Sequence, residues 1–299
     1  MKLAYITLYF LLLTCGYKYA QEQVEFNMSL LFVEDAFVDI ARKDAEASFK
    51  IWTNMYSNHI YDETNIKVNT SFEILEDVSR LGTLLDQKRV DLVNLPSYMY
   101  KMLGLNKNFE PIWSGARGSS KFDEYVIIIN NVNKITQLEE LKSKSIILMK
   151  EDIFNLSHIW LKVLLHENNL DKKENFFGSI SEEQDELIVI YKVFFGEADA
   201  AIVTKNRLEL ANELNPQISK KIVPIIVSEP MLLTISLLNK TIDPLLKKTL
   251  LNIVENFRLN SRSGQILDLF KIAKIDRIYE TDLESVNNLL ERYSKVNPE

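Results

Sequence analysis

Apolar residues recur along the chain at two spacings, alternating or unbroken in short runs and every third or fourth position in longer ones, and the two kinds of run follow one another. Val24 to Phe32 reads as a strand, with Glu34 and Asp35 at the turn after it. Asp39 to Ile60 then carries Ile40, Ala45, Phe49, Trp52 and Tyr56 at helical spacing, and Ile66 to Thr70 is a second short strand. Leu75, Val78, Leu81 and Leu85 repeat at threes and fours before a strand from Val90 to Leu95. The order β-α-β-α-β predicts parallel strands covered by helices. Pro96 ends the third strand and suits the first turn of a helix. Ser97 and Tyr98 therefore fall at the carboxyl end of a parallel strand, where open α/β sheets bind ligands.

The same plan returns after a polar bend at Gly115 to Ser120. Glu124 to Asn130 is a β-prone run and the first candidate for a crossing into a second lobe. Thr136 and Glu139 have capping-box spacing on a short helix ending at Leu141, and Ser145 to Met149 is the next strand. Asn155 to Leu165 reads as a helix and Phe176 to Ile180 as a strand. Ser181 with Gln184 marks a helix start, with Leu187, Ile188 and Tyr191 on its buried side and Gly196 at its end. Ala198 to Thr204 then repeats the design of Val90 to Tyr98, in which an Asp opens a hydrophobic strand that runs into a helix. Arg207 to Leu214 is that helix, stopped by Asn215 and Pro216.

Lys221 to Val227 is the return crossing, followed by a strand from Met231 to Leu238. Asp243 and Pro244 open a helix whose one face carries Leu246, Leu250, Ile253, Val254 and Phe257. Gly264 to Phe270 forms another, and Thr281 with Glu284 caps the last, Asp282 to Tyr293. Two crossings give residues 21–125 and 225–299 to a first lobe and 126–224 to a second. Paired connections of this kind permit hinge closure over a cleft.

Residues 1–20 stand apart. Lys2 precedes an uncharged apolar run from Ala4 to Leu13, too short to span a bilayer, and the segment reads as an export signal. Cleavage after Ala20 sets Lys18 where a small residue is usual. Leu12-Leu13-Thr14-Cys15-Gly16 is a loose version of the bacterial lipid-attachment sequence, so a lipid anchor at Cys15 stands beside plain cleavage as an expectation. Cys15 is the only cysteine, so no internal disulfide holds the exported part. Loss of Lys2 and Lys18 takes the formal charge from −7 to −9, with basic residues scattered, which argues against a nucleic-acid partner. A monomer is expected.

Candidate chemistry is sparse. His59, His158 and His166 are the three histidines, and His166-Glu167 lacks the second histidine of a zinc-hydrolase helix. No glycine-rich phosphate cradle, Gly-x-Ser-x-Gly elbow or Cys/His metal cluster is present, so neither an enzyme nor a cofactor is expected. Binding needs only polar donors at strand ends and helix starts, where free backbone amides suit an anion. Asn155, Ser157 and His158 occupy one such start, Thr204 and Lys205 another. Arg117, Ser119, Ser120, Lys121 and Tyr125 cluster at the approach to the first crossing.

Several short motifs share one order: Val90-Asp91-Leu92-Val93, Phe122-Asp123-Glu124-Tyr125, Ile135 to Lys142, Gly196 to Val203, and Gly264-Gln265-Ile266-Leu267 before the final helix. In that order the chain resembles the solute-binding proteins of phosphate, phosphite and phosphonate uptake, a branch of the type 2 periplasmic-binding-protein fold. The resemblance implies two α/β lobes with a hinge and an interlobe cleft. It also implies an exported, non-enzymatic protein, periplasmic or anchored outside the inner membrane, that captures a small anionic solute for an ABC permease; a sensor signalling to a membrane kinase is the alternative. Tyr98 and Tyr125 are the nearest matches to the family's cleft tyrosines. The family's hydroxyl-rich turn after the Ser145 to Met149 strand is replaced here by Lys150 to His158, with Ser157 as its hydroxyl and Glu151 and Asp152 beside it.

Overall fold

The computed structural model describes residues 24–34, 41–116, 118, 120–150, 156–255, 261–270 and 272–296. The first lobe begins with strand β1 (Glu25–Val33), helix α1 (Arg42–Thr64), strand β2 (Lys67–Leu75) and helix α2 (Leu81–Gln87). Strand β3 (Leu92–Pro96), helix α3 (Ser97–Met102) and strand β4 (Phe109–Ala116) follow. β2 and β3 run parallel to β1 on either side of it, as the alternation of strand and helix requires.

Because side chains alternate across a strand, β1 supplies two cores at once. Met28, Leu30 and Phe32 face α1, while Leu31 and Val33 belong to the opposite core. α1 buries Ala45, Phe49, Tyr56 and Ile60 and ends at Asn65 in the left-handed region (φ 56°). Phe49 stacks on Phe32 with centroids 3.8 Å apart and on Phe270 at 4.9 Å. Truncating a ring so enclosed costs about 3–5 kcal/mol.

The chain then passes into the second sheet: β5 (Tyr125–Asn130), β6 (Ser145–Met149), helix α4 (Leu156–Glu167), β7 (Ser179–Glu183) and helix α5 (Glu186–Phe195). β8 (Ala200–Thr204), helix α6 (Lys205–Leu214) and β9 (Ile222–Val227) complete it in the order β7-β6-β8-β5-β9. β6 is parallel to β7 and β8, whereas β5 is antiparallel to both β8 and β9. The antiparallel strands are those joined to the crossings. β10 (Thr234–Asn239), helices α7 (Pro244–Glu255) and α8 (Ser261–Leu269), strand β11 (Lys274–Arg277) and helix α9 (Glu284–Val296) return to the first lobe. Its sheet has the order β11-β4-β10-β3-β1-β2, with β10 antiparallel to β3 and β4.

The two Asp-led strands share one clamp. Asp91, 2% exposed, accepts the Ser29 N–H of β1 at 2.9 Å and returns its own N–H to Ser29 O. Asp199 accepts the Ser145 N–H and Oγ of β6 at 2.9 and 2.8 Å, and its N–H donates to Ser145 Oγ. Each carboxylate fixes the start of a parallel pair, which has no hairpin to set its register.

Several local expectations are corrected. Residues 179–183 pair with β6, so Ser181 is in a strand; the cap of α5 is Asp185, whose Oδ1 accepts the Leu187 N–H at 2.7 Å. The buried face of α5 is Val189, Ile190 and Val193, and Ile188 is exposed. The capping box before Leu141 uses Gln137 and Glu140, one residue later than expected, and the corresponding box near α9 uses Tyr279 and Asp282. Phe176 closes a helical turn, Lys173–Phe176, instead of opening a strand. Gly115 lies inside β4, where a Cβ would come within 2.9 Å of the Ile272 side chain.

Candidate functional site

The two crossings run side by side. Asp123 N donates to Met231 O at 2.9 Å and Met231 N to Asp123 O at 2.8 Å. One step further, Ser228 N donates to Tyr125 O and Tyr125 N to Ser228 Oγ, both at 2.9 Å. The return segment is also tied to the start of α3, where Ser97 N donates to Leu233 O and Ser97 Oγ to Leu232 O.

Around this seam the sequence-predicted residues fall as follows. Tyr98, on the first turn of α3, is 4% exposed, and Tyr125, opening β5, is 9% exposed. Tyr125 stacks on Trp160 of α4 with centroids 6.2 Å apart and planes 23° from parallel. Tyr98, Tyr125, Trp160 and Met231 belong to one buried apolar cluster that runs from the first sheet to the second. Ser157 and His158 are buried on the first turn of α4. Arg117, Ser119 and Asn155 lie outside the described residues.

His158 Nε2 is 2.7 Å from Met149 O, which can only accept, so Nε2 carries the proton. Its Nδ1 lone pair is then left to accept from the buried Lys173 ammonium at 3.3 Å. Thr204 is committed inside the second lobe: its N–H and Oγ donate to the two oxygens of Glu186, a buried carboxylate that Arg207 Nε approaches at 3.5 Å. Burial lowers the pKa of the Arg207 guanidinium.

The amino end of α6 is capped in the same way. Asn206 N donates to Asp123 Oδ1 at 3.2 Å, and Lys205 pairs with Glu124 at 2.5 Å, which raises the lysine's pKa. Lys121 turns to the first lobe, donating to Asp282 Oδ2 and Arg277 O. Ser120 Oγ accepts from Phe122 N.

Trp160, Lys173 and Glu186 were not singled out in the sequence. Trp160 had a usable signal, a lone indole on the helix that starts at the carboxyl end of β6. Lys173 sits in a Lys-Lys pair of solvated appearance, and Glu186 in a run of acids, so neither had one. Among the described residues no His, Cys, Asp or Glu cluster is arranged to hold a metal ion, and no helix is long and apolar enough to cross a membrane.

A family model described as "ABC transporter, phosphonate, periplasmic substrate-binding protein" matches residues 40–283. No curated protein matches the chain by sequence. Among solved structures, XAC2383 from Xanthomonas citri bound to ATP is similar at 13% identity and TM-score 0.66, covering 90% of this chain and 98% of that one. PhnD1 from Prochlorococcus marinus in complex with methylphosphonate has 13% identity, TM-score 0.61 and the same coverage. A binding-protein component of an ABC phosphonate transporter from Pseudomonas aeruginosa has 13% identity and TM-score 0.59, covering 92% of this chain and 88% of its own. At such identities the structural likeness establishes the fold, two mixed α/β sheets of the type 2 periplasmic-binding-protein kind. The family model spans most of the sequence, and the chain belongs to the phosphonate ABC-transporter periplasmic substrate-binding proteins, which bind solutes outside the cytoplasmic membrane and do not turn them over.

Proposed function

We propose that this protein captures a small phosphate- or phosphonate-type anion between a lobe of residues 21–124 with 228–299 and a lobe of residues 125–227, and hands it to an ABC permease. The boundaries expected from the sequence are shifted by a few residues because Tyr125 and residues 225–227 lie in paired strands of the second sheet. The observation that carries the reading is the paired crossing. Asp123 with Met231 and Tyr125 with Ser228 bring both passes of the chain to one line, about which two sheets can rotate. A solute that touches both lobes only when they meet shifts the population toward the shut form.

The anionic end is assigned to the start of α4, with Asn155 and Ser157 as donors and His158 behind them. What supports this is the polar first turn of α4, where Ser157 and His158 are buried close to Trp160, which stacks on Tyr125. Tyr98, Tyr125 and Trp160 supply the walls, with Ser119 at the approach. Thr204 shapes the second-lobe side through Glu186 and makes no direct contact with the solute.

The neighbours described with ATP and with methylphosphonate make these the first solutes to test. In a thermal-shift titration of the purified chain, methylphosphonate, orthophosphate or ATP should raise the apparent Tm with concentration, by the equivalent of about 2.7 kcal/mol at a hundredfold excess over Kd. Acetate and glycine should not. A flat response to all three phosphorus compounds overturns the reading. Lipid attachment at Cys15 is part of it, read as detergent partitioning lost in Cys15→Ser. Stimulation of a reconstituted importer's ATPase by the loaded protein separates a permease partner from a sensor kinase.

A further inference from the structure

We infer that the C-terminal helix α9 is a strap that holds the two lobes together before solute arrives, gripping α3 of the first lobe with Glu291 and α4 of the second with Arg292. This goes beyond the binding reading and depends on it only in treating the lobes as moving parts.

By sequence α9 belongs to the first lobe, since it follows β11 of that sheet. Its apolar stripe is Val286, Leu289, Leu290 and Tyr293, spaced at threes and fours. The stripe packs into the cluster that also holds Tyr98, Met99 and Tyr100 of α3 and Trp160, Leu161 and Leu165 of α4. α9 therefore rests on both lobes at once, as a third link beside the two crossings.

Charged residues at the edges of the stripe fix its position. Glu291 and Arg292 are adjacent in sequence and about 100° apart around the helix axis, so they point to different neighbours. Lys101 of α3 donates to Glu291 Oε1 at 2.8 Å and to Asn287 O at 3.5 Å. On the other side Arg292 meets Glu167 at the end of α4 in a two-point fork, Nε to Oε1 at 2.7 Å and Nη2 to Oε2 at 2.5 Å. Forked pairs of this kind are directional and resist sliding. Lys162, one and a half turns earlier in α4, lies 6.0 Å from the Tyr293 ring. Glu229 of the return crossing adds to the field that favours charged Arg292.

Opening the lobes must break one grip or the other. α4 is also the helix whose first turn carries Ser157 and His158, so the strap's free end and the proposed anion site lie at opposite ends of one rigid rod. The strap thus sets how much of the protein is shut in the absence of solute, and with it the apparent affinity.

The test uses the full chain with Cys15→Ser and spin labels at Asp86→Cys on the first lobe and Glu213→Cys on the second, both exposed. Pulsed EPR reads the interlobe distance without added solute. The expected result is one short distance in the parent, and in Arg292→Ala or Glu167→Gln a longer component whose population rises about threefold to fivefold. The swap Glu167→Arg with Arg292→Glu should restore the short distance. Unchanged distributions in both single variants, with circular dichroism showing them folded, overturn the strap. Because no solute is added, failure to bind phosphonate or phosphate would leave this result standing.

Discussion

Asp123 and Met231 exchange both main-chain hydrogen bonds across the two crossings, at 2.9 and 2.8 Å, and so form a two-residue sheet at the boundary between the larger sheets. The neighbouring pair depends on a side chain, since the Tyr125 N–H is satisfied by Ser228 Oγ. Ser228→Ala should leave a buried donor unpaired and cost about 1–3 kcal/mol in urea unfolding. Ser228→Thr keeps the acceptor, and a loss as large as alanine's would show that the hydroxyl is unimportant.

Clamping by Asp91 and Asp199 makes a second prediction. Asp199→Ala removes the acceptor of two Ser145 donors and should destabilise by about 1.5–3 kcal/mol, while Asp199→Asn, which still accepts through its carbonyl, should lose less. A double-mutant cycle with Ser145→Ala should give a coupling energy well above the few tenths expected of unconnected residues.

These clamps show how much of the fold was legible. The strand-and-helix alternation and the Asp-led strands rest on patterns longer than one turn, and local chemistry could not easily mislead them. Glu124 to Asn130 and Lys221 to Val227, expected as crossings, are instead β5 and β9 of the second sheet, because both runs are β-prone and pair with each other. What failed was local. Ser181 and Gln184 carry a helix-start spacing, but pairing with β6 satisfies the backbone of residues 179–183 first, and the cap moves to Asp185. β4 was missed because Pro111, Glu110 and Gly115 are poor strand formers; it is held by β10 and β11 on either side. The roles of Lys173 and Glu186 could not be read because each depends on a partner distant along the chain, His158 at 15 residues and Thr204 at 18.

The Glu186 site should behave as a buried ionic unit. Arg207→Met removes a cation from a buried carboxylate and should destabilise by about 3–5 kcal/mol, measured by denaturant unfolding. Adding Glu186→Leu should recover part of that loss, because the second substitution removes the charge left behind. A strictly additive double variant would show that the two residues do not act as a pair.

The strap should also release in acid. Arg292 holds the Glu167 carboxyl below the usual carboxylate range, chiefly through the forked hydrogen bond. A carboxyl with a depressed folded-state pKa contributes fully above its unfolded value, near 4.3, and loses that contribution as pH falls through the lower folded value. Interlobe distances should therefore stay short from pH 7 to about 5 and lengthen below about 4. Glu167→Gln should remove the part of this step set by Arg292, leaving the part from Glu291, whose carboxyl Lys101 also holds below the usual range, and any acid transition of the isolated sheets.

Trp160 offers a direct optical reading of the candidate site. The chain has three tryptophans, and Trp52 and Trp113 lie in the core that covers α1, away from the crossings, whereas Trp160 stacks on Tyr125. If solute enters against Tyr98, Tyr125 and the first turn of α4, it alters the surroundings of one indole of the three. Methylphosphonate or ATP should then change intrinsic fluorescence saturably in the parent, and Trp160→Phe should abolish the change while preserving the thermal shift. Tyr98→Ala should weaken binding about tenfold, corresponding to about 1.4 kcal/mol of lost ring contact. A saturable signal that survives in Trp160→Phe would place the solute elsewhere, and α4 would then carry only the strap.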